Sequence, residues 1–245
     1  MLEGICLLSV IPMRSKKSDT SELINQILFG ETFKIIKEEK NWSFIELHHD
    51  KYTGWIDNKQ FQKINFKIRH KISNKIFAYI KINNTKQIVI IGSLIPFNKR
   101  FKTKFEIDHN LSFKKMEPFN LSFLNIAKKY LNSPYLWGGR TPLGIDCSGY
   151  TQMVFRFFNI KLPRDSFQQA LIGQSINIEE TKLADLAFFG SKNKKVTHVG
   201  IVLNNNRIIH ASGKVRIDTL DKKGIFNLES NSYTHSLKLI KRVIL

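Results

Sequence analysis

The chain has 245 residues, of which 42% are hydrophobic and 24% are charged, a balance that excludes a disordered protein and allows a buried core without disulfide support. Its 39 Lys and Arg residues against 20 Asp and Glu residues give a formal net charge of +19. Because the lysines are spread along the whole chain and Arg is scarce, we interpret this charge as compositional bias and predict no nucleic-acid partner.

The sequence predicts neither a membrane span nor a signal peptide. No run approaches the ~20 apolar residues that cross a bilayer, so no membrane partner is expected. Residues 1–12 lack the basic region and the small-residue cleavage site of a secretory leader. If Met1 is the native start, a cytoplasmic location is expected.

Residues 1–60 and 61–118 are predicted to form two small β domains. In both segments, short β-type runs are separated by turn signals, which is typical of small barrels. The predicted strands of the first segment are residues 4–11, 32–38, 42–47 and 53–56, and those of the second are 77–82, 87–91 and 105–107.

Residues 119–245 have a different pattern, in which helices come first and strands follow. The predicted helices are residues 121–131, 148–158 and 164–172. The predicted strands are residues 186–189, 198–203, 207–211, 215–219 and 237–243. Helices followed by strands favour an α+β domain with an antiparallel sheet.

The glycine-rich loop that ends at Cys147 is the most informative part of the sequence. A predicted helix begins directly after this cysteine, so the helix dipole and the unpaired N–H groups of the first turn are expected to lower the thiol pKa. The same N–H groups suit the oxyanion of an acyl transfer. Asp146 and Ser148 flank the thiol, where they would hold either the loop or a substrate. Cys6 lies in an apolar run that predicts a buried strand, and a disulfide to Cys147 would need a coincidence of geometry.

A thiolate nucleophile requires an imidazole beside it and a third group to orient that imidazole. His198 opens one predicted strand and His210 closes the next, so a hairpin would bring them to the same end of the strand pair. A zinc site formed by Cys147 and both histidines is the alternative, but structural zinc usually has a fourth ligand and no second local cysteine supplies one. We therefore expect no metal. The other histidines, His235 among them, are interpreted as ordinary polar residues.

The third segment resembles the NlpC/P60 cysteine peptidases, which cut peptidoglycan stem peptides. The resemblance implies a papain-like α+β fold in which Cys147 attacks an amide carbonyl, His198 moves the proton and His210 orients His198. It implies no metal and no organic cofactor. The matching motifs are Tyr135-Leu-Trp-Gly-Gly, Asp146-Cys-Ser-Gly, Leu162-Pro-Arg-Asp-Ser166, Asp185-Leu, His198-Val-Gly and His210-Ala. Ala184 departs from the glycine usual in the family, so the local turn is expected to differ.

The first segment contains a second set of motifs, which are Met13-Arg14, Ser21-Glu22, Gln26-Ile-Leu-Phe-Gly-Glu31, Trp42 and Tyr52-Thr-Gly-Trp55. With these residues, the first two segments resemble the paired SH3-like domains that precede this peptidase domain in γ-D-glutamyl-L-diamino acid endopeptidases. The resemblance implies that Glu22 and Tyr52 match the positions that contact the free amine of the substrate's L-Ala. In the peptidase segment, substrate contacts are expected from Tyr135, Asp146, Ser148, Asp165 and Ser166.

The expected function is therefore hydrolysis of the γ-D-Glu–diamino acid bond in peptidoglycan-derived peptides with a free L-Ala, during wall recycling. Two alternatives stay open at this stage. One is an exported hydrolase of intact wall, with the SH3-like domains as anchors. The other is an anionic-polymer-binding protein in which Cys147 is silent. The sequence leaves the identity of the diamino acid and the oligomeric state open.

Overall fold

A computed structural model describes residues 2–66, 68–97, 99–109, 111, 118–191, 195–204 and 206–244. The chain forms two compact units. The first comprises Met1–Lys115 and Trp137–Pro142, and the second comprises Met116–Leu136 and Leu143–Leu245. The predicted division into domains of residues 1–60, 61–118 and 119–245 stays a prediction.

The first unit contains a seven-stranded antiparallel sheet. Its strands are β1 Glu3–Ile5, β2 Val10–Arg14, β3 Leu23–Leu28, β4 Thr32–Glu38, β5 Trp42–Leu47, β6 Thr53–Asp57 and β7 Gln62–Ile64, in the order β3-β2-β6-β5-β4-β1-β7. The run predicted as one strand over residues 4–11 is two strands. The chain bends between them because β1 pairs with β4 and β7, whereas β2 pairs with β3 and β6. A 3₁₀ turn spans Asn58–Gln60.

The rest of the first unit consists of two strand pairs and a helix. The strands are β8 His70–Ile72, β9 Phe77–Ile82, β10 Thr85–Ile90 and β11 Leu94–Pro96; β9 pairs with β10, and β8 pairs with β11. Helix α1 spans Lys99–Phe105. The strand predicted for residues 105–107 is therefore wrong. Phe101 and Phe105 lie four residues apart on one face of α1, and their rings pack 4.7 Å apart. One buried core contains both rings together with Ile5, Phe29, Ile64, Ile80, Ile82, Val89, Ile95 and Ile107.

A buried ion pair belongs to the same unit. Strand β12, Arg140–Thr141, places the Arg140 guanidinium 3.0 Å from each carboxylate oxygen of Glu31, and Arg140 also donates to the Gln26 carbonyl at 2.9 Å. The Arg140 and Glu31 side chains are 0% and 1% exposed. Gly138, just before β12, has φ +76°, and an added Cβ would lie 2.4 Å from the Leu23 carbonyl oxygen. The glycine is thus required by a close backbone approach.

We expect Arg140→Leu to lower the free energy of unfolding by about 3–5 kcal/mol, because Glu31 would be left buried without its guanidinium. Lys63→Leu is the matched control. Lys63 contacts Glu38 at 2.7 Å, but these side chains are 49% and 36% exposed, so its loss should cost only about 0–1 kcal/mol. Urea unfolding of both variants measures the difference. Equal losses of unfolding free energy would show that the buried Arg140–Glu31 pair stabilises the fold no more than the exposed Lys63–Glu38 pair.

The second unit is α+β with an antiparallel sheet, which confirms the predicted fold class. Its helices are α2 Phe119–Lys128, α3 Cys147–Arg156 and α4 Ser166–Gln169, and a 3₁₀ turn spans Ile178–Glu180. Its strands are β13 Gly144–Ile145, β14 Gln174–Ile176, β15 Leu186–Phe189, β16 His198–Leu203, β17 Arg207–Ser212, β18 Lys214–Leu220, β19 Gly224–Asn227 and β20 Ser232–Arg242. The main sheet has the order β14-β20-β15-β16-β17-β18-β19, and β19 also pairs with β20, so six strands close into a ring.

Two helices position the site in this unit. Helix α3 is buried from Cys147 to Phe155 and packs against β16 and β17. Helix α4 is shorter than the helix predicted for residues 164–172. Asp165 is its N-cap and forms a capping box with Gln168, so Arg164 lies outside the helix.

The turn before β15 is held by an ion pair between the buried Asp185 and the partly exposed Arg242. Ala184 has φ +75°, a left-handed conformation that glycine adopts more readily. Asp185 accepts from the Lys182 backbone N–H at 2.8 Å and from Arg242 at 2.8 Å through each carboxylate oxygen. These contacts stabilise the turn although alanine occupies the glycine position.

Candidate active site

Cys147 is the first residue of α3, and the residue before it caps the helix. The Asp146 side chain accepts from the Gly149 backbone N–H at 2.7 Å. The Cys147 side chain is 5% exposed, and the backbone N–H of Val199 lies near enough to its sulfur to lower the thiol pKa. The thiol therefore lies against the start of β16, next in the chain to His198.

The predicted direction of the Cys147 pKa shift is wrong. Burial, and then the nearby Asp146 carboxylate, raise the pKa of the thiol to about 12, although N–H groups of Val199 and Ser148 act in the opposite direction. The helix terminus lowers a thiol pKa only when the thiolate keeps enough solvation. Here removal from water outweighs the dipole, so the resting thiol is protonated.

The strand pairing confirms the predicted hairpin between β16 and β17. Gly200 pairs with His210, and Leu203 pairs with Arg207. The His198 and His210 rings meet at one end of the pair, where Nε2 of His198 lies 2.9 Å from Nδ1 of His210. Gly200 is needed for this approach, since an added Cβ would lie 2.9 Å from the His210 Cβ.

A buried carboxylate extends the line of histidines. Nε2 of His210 lies 3.0 Å from Oδ2 of Asp218 in β18. Arg216 donates to Asp218 at 2.8 and 3.2 Å, and the Leu228 backbone N–H donates at 3.1 Å. Burial alone would raise the pKa of Asp218, but the bonds from His210, Arg216 and Leu228 lower it to about 2. Asp218 is therefore an anion that only accepts hydrogen bonds.

The Asp218 carboxylate decides which nitrogens of the two histidines carry protons. Because Asp218 can only accept, Nε2 of His210 carries a hydrogen, and Nδ1 of a neutral His210 must accept. His198 then donates from Nε2, which leaves its Nδ1 unprotonated. Burial, followed by the neighbouring His210 and His235, lowers the pKa of His198 well below 6.5 and keeps this ring neutral. The arrangement presents a free imidazole nitrogen for a proton.

Asp146 and Ser148, two of the predicted substrate contacts, are engaged by a buried arginine. Arg164 donates to both carboxylate oxygens of Asp146 and, at 3.0 Å, to the Ser148 hydroxyl. All three side chains are buried. The bonds observed for Asp146 and Ser148 hold the nucleophile loop, and contact of either residue with substrate stays a prediction.

The structure brings Tyr135 to the nucleophile. Burial, and then the nearby Cys147 and Asp146, raise the pKa of the Tyr135 phenol. Its backbone N–H donates to the Gly213 carbonyl at 2.9 Å, next to β17. Asp165 caps α4, and Ser166 is the first residue of that helix. The predicted substrate roles of these three residues stay predictions.

Glu22 and Tyr52 lie in the first unit. The Glu22 carboxylate accepts from the indole N–H of Trp137 at 2.7 Å, and the Trp137 side chain is 60% exposed. Tyr52 is partly buried and packs against the core that contains Cys6 and Met13. The amine-binding role that the resemblance implies for Glu22 and Tyr52 stays a prediction.

Three residues of the site were not predicted from the sequence. Arg164 and Asp218 have no role in the sequence argument, and His235 was interpreted as an ordinary polar residue. The His235 ring stacks on His198 at 4.2 Å between centroids. A weak signal exists for Asp218, since a strand that follows the two histidine strands can carry an orienting acid. His235 gives no such signal, because it lies 37 residues after His198.

Within the described part of the chain, no group of three or more His, Cys, Asp or Glu side chains is arranged to hold a metal ion. His198, His210 and Asp218 form a hydrogen-bonded line rather than a shell around one point. Each imidazole contact in the line joins two neighbouring side chains. Such a line suits proton transfer.

Acid should destabilise the fold through the stacked histidines. Burial, and then His210, lower the pKa of His235 to about 4. Between about pH 6.5 and 4, the unfolded chain binds protons that the folded His198 and His235 exclude, so the free energy of unfolding falls as pH falls through this window. We expect His235→Phe to lose less thermal stability than wild type between pH 7 and pH 4.5. Scanning calorimetry at both pH values measures this, and identical losses would contradict it.

Comparisons with known proteins agree with this geometry. Residues 132–228 match the NlpC/P60 family, and residues 13–61 match the bacterial dipeptidyl-peptidase Sh3 domain. A probable endopeptidase NlpC homolog from Haemophilus influenzae is 37% identical over 119 residues, which cover 47% of this chain and 61% of that protein, less than two thirds of its length. A gamma-D-glutamyl-L-lysine dipeptidyl-peptidase from Bacillus subtilis is 24% identical over 76% of this chain and 71% of that protein.

The fold is also shared with a solved structure. The crystal structure of an NlpC/P60 family protein from Bacillus cereus superposes with a TM-score of 0.80 at 18% identity, covering 98% of this chain and 99% of the other. No helix among the described residues is long and apolar enough to cross a membrane. The matched region 132–228 contains Cys147 and the buried line of His198, His210 and Asp218. The chain contains a domain of the NlpC/P60 cysteine peptidase family at residues 132–228, preceded by a bacterial dipeptidyl-peptidase Sh3 domain at residues 13–61.

Proposed function

We propose that this peptidase hydrolyses the amide bond between γ-D-Glu and the diamino acid in peptidoglycan stem peptides that carry a free N-terminal L-Ala. The observation that carries the proposal is the hydrogen-bonded line from Asp218 through His210 to His198, beside the helix that begins at Cys147. The substrate class is supported by the Bacillus subtilis relative, which is named a gamma-D-glutamyl-L-lysine dipeptidyl-peptidase.

In the proposed reaction, the Cys147 sulfur attacks the carbonyl carbon while its proton moves to Nδ1 of His198. Free N–H groups in the first turn of α3 stabilise the oxyanion. The imidazolium then protonates the leaving amine, and a thioester to the γ-carboxyl of D-Glu remains. His198 next takes a proton from water, and the resulting hydroxide attacks the thioester. Hydrolysis releases L-Ala-γ-D-Glu and the free thiol.

The two pKa shifts favour a resting pair without charges. The pKa of Cys147 is raised to about 12, and that of His198 is lowered well below 6.5. A thiolate–imidazolium pair is then formed only when a substrate carbonyl is in place to receive the sulfur. His210, held by Asp218, stabilises the imidazolium as it forms.

A role in wall recycling and a cytoplasmic location are part of the proposal. A peptidase that requires a free L-Ala acts on fragments whose amine has already been released from the lactyl group of the glycan. Glu22 is the proposed partner for the ammonium, since a carboxylate is the group that pairs with a buried cation. Tyr52 is proposed to contact the same amine.

We expect Cys147→Ala to abolish hydrolysis of synthetic L-Ala-γ-D-Glu-diaminopimelate, with a loss of roughly 10³-fold or more, because the nucleophile is removed. Liquid chromatography of the released dipeptide measures the rate. Cys6→Ala is the matched control, because Cys6 is also fully buried but lies in the first unit. The N-acetylated tripeptide and the lysine analogue are assayed beside the parent peptide.

Cleavage of the free tripeptide but not of its N-acetylated form would support the amine requirement. Equal cleavage of both forms would remove Glu22 and Tyr52 from the proposed site, and cleavage of intact sacculi at a comparable rate would favour a wall hydrolase. No cleavage of any of these substrates by wild type would sink the proposed function.

We expect Asp218→Asn to lower kcat on the order of tenfold to a hundredfold with little change in KM. Among the described residues, the partners of Asp218 all donate hydrogen bonds to it. The NH₂ group of the substituted side chain would therefore face a donor, which disturbs the proton positions on His210 and His198. Steady-state kinetics on the tripeptide measures the effect. Asp185→Asn is the control, since Asp185 is equally buried and pairs with Arg242. If both variants lost kcat alike, the role of Asp218 would be general stability only.

A further inference from the structure

The ring of His235 covers one face of His198. The two ring centroids lie 4.2 Å apart and the planes are inclined by 27°, which is a stacked arrangement. His235 belongs to β20, where it pairs with Ile225 of β19. Two residues further along β20, Leu237 pairs with Phe189, which pairs with His198, so β20 and not the hairpin of His198 and His210 brings His235 to His198.

Two other groups contact the His198 ring. Phe189 of β15 pairs with His198 and lies 5.8 Å from it between centroids, and His210 holds Nε2. Phe189 also contacts His235, at 6.1 Å and 68°. Thus His198 is held at one nitrogen by a hydrogen bond and at its face by His235, while Nδ1 points away from the His210 contact.

We propose that His235 is a positioning residue for the reaction, which holds the face of His198 and stabilises the imidazolium that forms there. This inference rests on the proposed peptidase function. When His198 takes the thiol proton, a positive charge develops 4.2 Å from the His235 ring. The face of a neutral aromatic ring attracts such a charge, whereas a second imidazolium would repel it.

The surroundings of His235 keep it neutral. The titratable groups that face it are His198 of β16, His210 of β17 and, beyond His210, Asp218 of β18. Burial and His210 lower the pKa of His235 to about 4, although Asp218 acts in the opposite direction. Nδ1 of His235 lies 2.8 Å from the Thr234 hydroxyl, so this nitrogen has a neutral hydrogen-bond partner. The stack therefore presents a π-face and not a second charge at neutral pH.

The test compares His235→Leu, which fills the space without an aromatic face, with His235→Phe, which restores the face but not the nitrogens. Two rates are measured at pH 7: kcat on the tripeptide and alkylation of Cys147 by iodoacetamide, followed by mass spectrometry. The second rate needs no peptide substrate, so it tests His235 even if the proposed substrate is wrong. Tyr233→Leu is the control. Tyr233 lies two residues away on β20 and packs edge-to-face on Phe226, so its loss perturbs the strand at a different aromatic contact.

We expect His235→Leu to reduce both rates about threefold to tenfold at unchanged KM, and His235→Phe to stay within about twofold of wild type. Tyr233→Leu should keep both rates. Wild-type rates in His235→Leu would overturn the proposal. Equal impairment of the Leu and Phe variants would also overturn it, since the ring face would then not be what matters. A failure of wild type to cleave the tripeptide, with the alkylation pattern intact, would count against the substrate alone.

Discussion

The carboxylate of Asp218 is the group on which the site depends. It is fully buried and every protein partner of it is a donor: His210, Arg216 and the Leu228 backbone. A buried anion with donors on all sides has one way to be satisfied, so it leaves no freedom in the proton positions of the histidines. The direction of the hydrogen bonds from His198 to His210 to Asp218 follows from this one constraint. The unprotonated Nδ1 of His198 is its final consequence.

Burial has two effects in this site, and they act together. It raises the pKa of Cys147 and lowers that of His198, so both groups rest without charge. The same exclusion of water strengthens each hydrogen bond in the line and keeps the His235 ring neutral. A reactive thiolate is therefore not stored in the resting protein. In the proposed reaction, a thiolate and an imidazolium form only in the step in which the sulfur attacks the substrate carbonyl.

Buried arginine–carboxylate pairs recur wherever the backbone must be held at a defined position. Arg164 holds Asp146, the cap of the nucleophile helix, and Arg216 holds Asp218. In the first unit, Arg140 holds Glu31 through two parallel bonds. A guanidinium suits this use because its planar fork matches both carboxylate oxygens and stays charged when buried. Each pair replaces the solvation that a lone buried charge would lose.

The sequence by itself determined the parts of this protein that depend on neighbours along the chain. A helix that begins at Cys147, the pairing of the strands of His198 and His210, and the α+β class follow from local patterns, and the family motifs lie on those same elements. What only the tertiary structure decided depends on groups distant in sequence. The pairing of β20 with β15 brings His235 to His198, and packing brings Arg164 to Asp146. The tertiary structure also decided that the pKa of Cys147 is raised, because desolvation depends on every group that packs around the thiol. The helix at Phe101 and Phe105 was missed for a similar reason, since its two rings are stabilised by a core shared with distant strands.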